Sequence, residues 1–553
     1  MNNWLFGRDG KPTRAFRWLF LLSATALAGL LSVKGDLIWI AFSIPLVLVA
    51  LIFLVFRFHF LEKTFSSLQI GRAALSYVLA AYAAQCYSGL FLEHLRSFAA
   101  ENANPLFSGL IDRFGAAGSI VAGLVSVLAL FVYLYWFIGW FSAQMLDVFR
   151  RLDAVERWYL VVALTVSVVL LVVLYQRTSV FCNPNASADN VWSKVDILYS
   201  SDTSSLTEQN VFYNIAASEN DIRQPLFGAF AAPFALSASL ITRLLLLPGA
   251  YYTLLQIVQA ALLFVSLVLV ARMTGVSGAE KALLLALLTL LFPTLLFLLN
   301  MEQYIFSVFW LVLLVWLFMS HDAAGRDVAW IAATGSIATS GLFLVLVPGS
   351  GSLRERFKQA ALAVVRFGVI ALLLGRAAMA MTSVANIRFL LQFAGEKLPF
   401  LERLMQYVRF AASCFVAPAG EVLRYESGMA VYHQAAVSGW SIGGIVCIVS
   451  SIAGFLLNRK SAYARVCAFW VACSFLLLCV AGWGTSENGL VLYTLYFAWA
   501  FVSLLVLLVT KLFQRAKALR LGAFSAGIIA LVLLNMRGIA EIVRFGLQYY
   551  PKH

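Results

Sequence analysis

Residues 194–227 read KVDILYSSDTSSLTEQNVFYNIAASENDIRQPLF. They form the longest acidic and polar run in a chain of 553 residues that is 62% hydrophobic and only 12% charged. The run holds Asp196, Asp202, Glu208, Glu219 and Asp221, followed by Arg223 and Pro225. It is too long and too rich in carboxylates for a plain connection between membrane spans, and such loops usually carry function. On either side of it, apolar runs of roughly 18 or more residues recur along the whole chain. Together with a mean hydropathy of +0.88, they predict an all-α polytopic membrane protein. About 13 spans are expected, plus re-entrant or short paired helices.

Charge sets the expected topology. Arg8, Lys11, Arg14 and Arg17 precede the first apolar run, which reads as a retained helix with a cytoplasmic N-terminus. Spans are expected at 16–33, 38–56, 73–93, 119–142 and 158–175, the third interrupted by Gln85, Cys86 and Tyr87. Arg150, Arg151 and Arg157 fall inside, so the fifth span delivers the acidic loop to the outer face. Residues 226–247 are apolar, but Pro225, Pro233, Pro248 and Arg243 predict interfacial or re-entrant helices there. Spans at 251–271, 280–300 and 302–320 follow. Residues 328–347, rich in small residues, read as two short helices in a hairpin. A span at 364–381 leads to a second outer segment, 383–437, in which 398–415 reads as an amphipathic helix on the membrane. Four spans near 439–457, 465–482, 489–510 and 521–536 finish the chain.

This gives an N-terminal membrane extension (1–157), a core (158–382) with an outer loop at 176–250, and a C-terminal membrane region (383–553). The net charge of +14 sits in short clusters between apolar runs. That arrangement suits topology and anionic lipid head groups and excludes nucleic acid as a partner. The cysteines show no metal spacing. Cys182 and Cys414 fall on the same expected face, and a disulfide between them is left open.

The candidate chemistry is acidic first. A carboxylate held at the membrane surface serves as a general base toward a hydroxyl or amine. Asp202 is the first candidate, with Asp196 and Glu208 on either side of it. The bland alternative is a solvated loop. Asp221 equally reads as a cap on the turn before Pro225. Glu487, in the turn Trp483–Asn488, and the following Tyr493 are a second candidate group; a helix-start acid beside an interfacial aromatic belt explains them as well. Cations come third, because a lipid-phosphate donor needs a positive partner. Arg223 and Arg424 face outward, along with Arg388, Lys397, Arg403 and Arg409. Arg376 lies inside the outer part of an apolar run, where phosphate binding competes with snorkelling. Glu426 and His433 complete the substrate-facing set, His433 as an acid-base group.

The layout of span, large outer loop with an early acid, short polar segment, proline, interfacial helix and span ending in Arg272 resembles the GT-C superfamily of membrane glycosyltransferases. That superfamily includes lipid A aminoarabinose transferases and protein O-mannosyltransferases. Asp202 occupies the place of the early acid, and Asn220–Pro225 matches the closing segment. Thr203 stands where the family has a second acid, so the pair is missing or is completed by Asp196 or Glu208. Four helices also precede the span that is first in the family. The resemblance covers the layout of residues 158–380. It implies an inverting glycosyltransferase at the outer face of a bacterial plasma membrane. The donor would be a polyprenyl-phosphate-linked sugar and the acceptor a glycan, lipid or protein. Some members bind a divalent cation at paired acids; with no immediate pair here, a tight metal site is not expected. A flippase of lipid-linked sugar and a polysaccharide polymerase or ligase are the alternatives. The chain shows few mid-span charges and no two-fold symmetry, which ranks the flippase lower.

Overall fold

The structure is a computed structural model. It describes residues 6, 11–31, 37–57, 59–66, 69–102, 105–182, 197–199, 201, 203–208, 210–215, 223–321, 325–348, 351–376, 398–424, 430–435, 440–485 and 490–552. The chain is a multi-pass helical membrane protein. Among the described residues, nine helices are long and apolar enough to cross a membrane, or ten if one bent pair counts as a single span. The chain divides into two compact units. One comprises Met1–Arg151, Gln209–Tyr251 and Trp330–Asn386; the other comprises Leu152–Glu208, Tyr252–Ala329 and Ile387–His553.

The first unit is built on two long helices, Ile70–Asn102 and Ala116–Arg150. The expected interruption at Gln85–Tyr87 does not occur. Tyr87 is buried and Ala83 and Ala84 pack with it, so this side of the helix faces protein rather than lipid. Arg14–Leu31 joins the same core through Phe16, Phe20 and Leu27. Phe227–Leu244 is tied to the long helices by hydrogen bonds of Tyr82 with Ser239 (2.6 Å) and of Tyr133 with the Ala229 carbonyl. The stretch expected at 364–381 instead belongs to a helix that starts earlier, Leu353–Leu373. Ser352 caps its first turn, and its basic residues continue into the apolar part without a break.

The second unit surrounds Tyr304–Met319, a helix whose sequence YIFSVFWLVLLVWLFM is apolar all round. Such a helix has no lipid or water face to show, and Phe306, Phe309, Trp310 and Leu311–Val315 are fully buried. In lipid, apolar burial does not by itself order helices, so packing and buried polar links do. Trp470 Nε1 donates to the Tyr496 carbonyl (2.7 Å), and Tyr463 pairs with Ser503 (2.7 Å).

The span expected at 280–300 is broken. Gly278–Thr289 and Phe292–Leu299 meet at a 58° bend. Pro293 is the cause: it lacks an N–H, and its ring displaces the carbonyl four residues back. The backbone groups freed at the bend are satisfied from elsewhere in the unit. Asn535, in the middle of Lys517–Tyr549, donates to the carbonyls of Leu290 (2.7 Å) and Phe415 (2.8 Å) and accepts from the Ala417 N–H (2.7 Å). Phe292 N–H donates to the Phe415 carbonyl (3.2 Å).

The helix Lys517–Tyr549 serves as a depth scale for this unit. Near one end Arg520 pairs with Glu280 (2.8 Å); near the other the Gly546 carbonyl accepts from Thr178 (2.9 Å). Asn535 lies about 22 Å along the axis from Arg520 and about 16 Å from Gly546 at 1.5 Å per residue. With a hydrocarbon thickness of about 30 Å, Asn535 is at membrane depth. The end of the segment expected to lie on the surface, 398–415, reaches this residue through the Phe415 carbonyl. The helix Phe400–Ser413 buries Tyr407, Val408 and Phe410–Ser413, and the chain after it dips to Asn535 before returning as a β-hairpin. Gly538 permits the approach, since a Cβ there would stand 2.4 Å from Ala417 Cβ. The hairpin, Gly420–Arg424 against Ala430–Gln434, is the sole sheet among the described residues.

Phe227–Leu244, in the stretch expected to be interfacial or re-entrant, is a continuous helix long and apolar enough to cross a membrane. In the second unit, Tyr252 OH donates to the Thr207 carbonyl (3.0 Å).

Candidate functional site

The helix Ala154–Arg177 delivers the chain to a polar end of the second unit. Thr178 Oγ1 donates within a pair of carbonyls, Gly546 (2.9 Å) and Tyr550 (2.8 Å), and Lys552 N–H closes on the Arg177 carbonyl (3.0 Å). The acidic loop starts here. Ile197–Tyr199 pairs with the second polar segment: Tyr432 N–H donates to the Ile197 carbonyl (2.8 Å), and Tyr199 N–H donates to the Tyr432 carbonyl (3.0 Å). Their rings meet edge to face at 5.3 Å. Two polar stretches more than two hundred positions apart in the sequence are joined at one end of one helix bundle.

The loop then forms a short helix, Thr203–Glu208. Thr203 Oγ1 lies 3.3 Å from each of Ser201 Oγ, Asn300 Oδ1 and the Met301 carbonyl. Asn300–Gln303 is the turn between Phe292–Leu299 and Tyr304–Met319, and it is held rigidly. Gln256 Nε2 donates to the carbonyls of Phe297 (2.8 Å) and Leu298 (2.9 Å), and Tyr175 OH donates to that of Leu299 (2.9 Å). Met301 N–H donates to the Phe181 carbonyl (2.9 Å). These donors neutralise the negative end of one helix, while the positive end of the next begins at Tyr304. Between them stands Glu302, fully buried. Sequence reasoning passed over Glu302 as the start of a span. The available signal was a lone acid between two long apolar runs, which in a membrane protein points to function by default.

The other sequence candidates fall as follows. Asp196, Asp202, Asp221, Glu426 and Glu487 lie outside the described residues. Glu208 ends the short helix. Arg424 extends from the hairpin to the Tyr549 hydroxyl and lies over its ring at 5.2 Å. His433 stands opposite Glu421 in the hairpin register. Burial lowers its pKa, and Glu421 only partly offsets this. Folding therefore disfavours the imidazolium. Stability is expected to be retained above the ordinary histidine pKa of about 6.5 and to fall as pH drops below it. Thermal unfolding followed from pH 8 to pH 5 should show this slope in the wild type and a weaker one in His433→Gln. Tyr493 packs on the Trp483–Thr485 turn, where Gly484 (φ +70°) leaves room for its ring.

Arg223 and Arg376 belong to the first unit. Arg376 is buried, not extended to a lipid surface, and donates to the Ile215 carbonyl (2.6 Å). It thus holds the later part of the acidic loop. The closing segment is fixed by two backbone bonds, Leu226 N–H to the Gly335 carbonyl (2.9 Å) and Ala338 N–H to the Arg223 carbonyl (3.0 Å). Ala338 follows the break after Arg326–Ser336, so residues 328–347 do form two short helical pieces. A Cβ on Gly335 would sit 2.4 Å from Leu226 Cβ. Neither atom can swing away, so Gly335→Ala should cost about 1–3 kcal/mol. Thermal unfolding in nanodiscs measures it.

No family model matches the chain, and neither does any curated protein or solved structure. The reading of function rests on the site.

At the opposite end of the second unit lies a separate charged group. Glu156 accepts from Arg272 (2.7 and 2.9 Å) and Lys281 (2.9 Å), and Lys281 also reaches Asp153 (2.6 Å). Two acids meet two bases there. The balance and the burial mark it as structural.

Proposed function

We propose that this protein is a membrane glycosyltransferase. It moves a sugar from a polyprenyl-phosphate carrier to a glycan, lipid or protein acceptor at the outer face of a bacterial plasma membrane. The observation that carries this reading is the pairing of Ile197–Tyr199 with Tyr432. It brings the acid-rich loop and the hairpin with Arg424 and His433 to one polar end of a helix bundle, which suits a reaction on a lipid-borne substrate. In this reading Asp202 takes the proton from, or orients, the acceptor hydroxyl. The acceptor oxygen bonds to the anomeric carbon as the bond from that carbon to the phosphate oxygen breaks, with inversion. An arginine stabilises the charge that develops on the leaving phosphate. Asp202→Asn is expected to abolish transfer of radiolabelled sugar from undecaprenyl phosphate by purified protein in lipid, while expression and folding persist. Wild-type activity in that variant would remove Asp202 from the mechanism. A second reading, movement of a lipid-linked sugar between leaflets, is favoured by the broken span at Pro293. Label changing leaflet without reaching an acceptor would select it.

A further inference from the structure

The helix Phe400–Ser413 of the second unit carries Arg403, Gln406 and Arg409. The Nε of each arginine and the Oε1 of Gln406 are buried and have no hydrogen-bond partner among the described residues. Arg409 makes no hydrogen bond or ion pair with any described residue. Arg403 donates through Nη1 to the Val480 carbonyl (2.7 Å) and lies 6.0 Å from the Phe400 ring, but no described carboxylate reaches it. Glu402, the one acid of this helix, pairs with neither arginine among the described residues. A guanidinium does not shed its proton, so its buried N–H must find an acceptor or bear the full cost of desolvation.

The three side chains lie close together on the helix surface. Gln406 stands midway between the arginines, about 60° around and about 4.5 Å along the axis from each. Two such long arms converge on one anion beside the helix, and the guanidinium fork matches phosphate oxygens. Gln406 Oε1, between them, offers an acceptor to a hydroxyl of the same headgroup.

The surroundings say what carries the anion. Val480 ends Ala462–Val480, and Gln406 Nε2 donates to the Thr485 carbonyl (3.4 Å) in the turn before Val491–Leu512. Both stretches are long and apolar enough to cross a membrane. This part of the helix therefore stands where spans end, at the level of lipid headgroups. Leu476 and Val480 on the span, and Leu401 and Met405 on the helix, are exposed. A free ion has no use for that apolar surface; the chains of a lipid do.

We propose that Arg403, Gln406 and Arg409 bind the phosphate headgroup of a membrane lipid. The inference does not rest on the transferase reading, and a carrier lipid and a bilayer phospholipid share the required chemistry.

The test is native mass spectrometry and thermal unfolding of the full chain, delipidated in detergent and supplied separately with undecaprenyl phosphate, phosphatidylglycerol, phosphatidylcholine or inorganic phosphate. One anionic lipid per chain is expected to stay bound and to raise Tm, and whichever of the first two is retained more strongly names the source. Arg409→Gln should weaken that binding by about tenfold or more. Arg409→Lys, which keeps the charge but loses the fork, should fall between. Arg537→Gln, at an 83% exposed arginine on another helix, should change nothing. Without lipid, Arg409→Gln should unfold at the wild-type Tm, because Arg409 bonds to no described residue. A lowered lipid-free Tm would show that the protein itself holds Arg409 and would overturn the proposal. So would wild type that retains neither anionic lipid, equal retention of phosphatidylcholine, an equal Tm rise with inorganic phosphate, or unchanged lipid binding in Arg409→Gln.

Discussion

Asn535→Ala should be among the most damaging single substitutions in the second unit. The side chain is fully buried at membrane depth and makes three short hydrogen bonds in one orientation: two carbonyls on its NH₂ and one N–H on its oxygen. Phe415 would keep one partner, Phe292 N–H, after the change. The Leu290 carbonyl and the Ala417 N–H would lose the partner that Asn535 supplies, in a region where water cannot replace it. At about 1–3 kcal/mol for each unsatisfied group, the expected loss is about 2–6 kcal/mol. Asn535→Asp should do no better, because it sets a carboxylate oxygen against two carbonyls. The effect should also be local before it is global. Cys414, fully buried next to the dipping segment, should become reactive to maleimide in Asn535→Ala at temperatures where the wild type is protected. A variant with wild-type Tm and a protected Cys414 would show that Asn535 does not hold the segment.

This part of the fold explains what the sequence could and could not reveal. Spans are legible because lipid demands long apolar runs, and the expected helices near 439–457 and 489–510 appear as Trp440–Asn458 and Thr494–Leu512. What a run does inside the membrane is less legible. Pro293 announces a bend, but only the partners that satisfy the freed backbone allow it, and Asn535 looks like any polar residue in an apolar stretch. The hairpin had its own signal: Glu421-Val422-Leu423-Arg424 and Val431-Tyr432-His433-Gln434 mix apolar and polar positions over strand-length runs. Both lie in the outer segment expected at 383–437. The candidate acids were visible because polar residues are rare in this chain. Glu302 is as visible, a lone acid at the start of the expected span 302–320.

The second large effect is expected at the opposite end, from Glu156→Ala. Its carboxylate, 1% exposed, accepts two bonds from Arg272 and one from Lys281, and it also accepts the Asp153 N–H (3.0 Å) to complete a capping box. Arg272, besides, lies over the Trp316 ring at 5.6 Å. Removing Glu156 leaves two cations, 8% and 10% exposed, without the carboxylate that joined them. Breaking a buried pair in this way costs about 3–5 kcal/mol, because the charge left behind has lost its partner but not its burial. Lys281→Met should cost less, since the Arg272–Glu156 fork survives it. Asp153→Ala should cost least of the three: its side chain is 45% exposed and water screens the pair, leaving chiefly the lost helix cap, at about 1 kcal/mol. The hydrogen bond from Lys281 and the backbone N–H groups of the cap outweigh burial and hold the Asp153 pKa below its ordinary value. Its contribution is therefore present above about pH 4 and is lost as pH falls through the lowered value. Thermal unfolding of the three variants in nanodiscs, at pH 7, tests the order. If Asp153→Ala proved as damaging as Glu156→Ala, the network would be acting through the cap and not through buried charge.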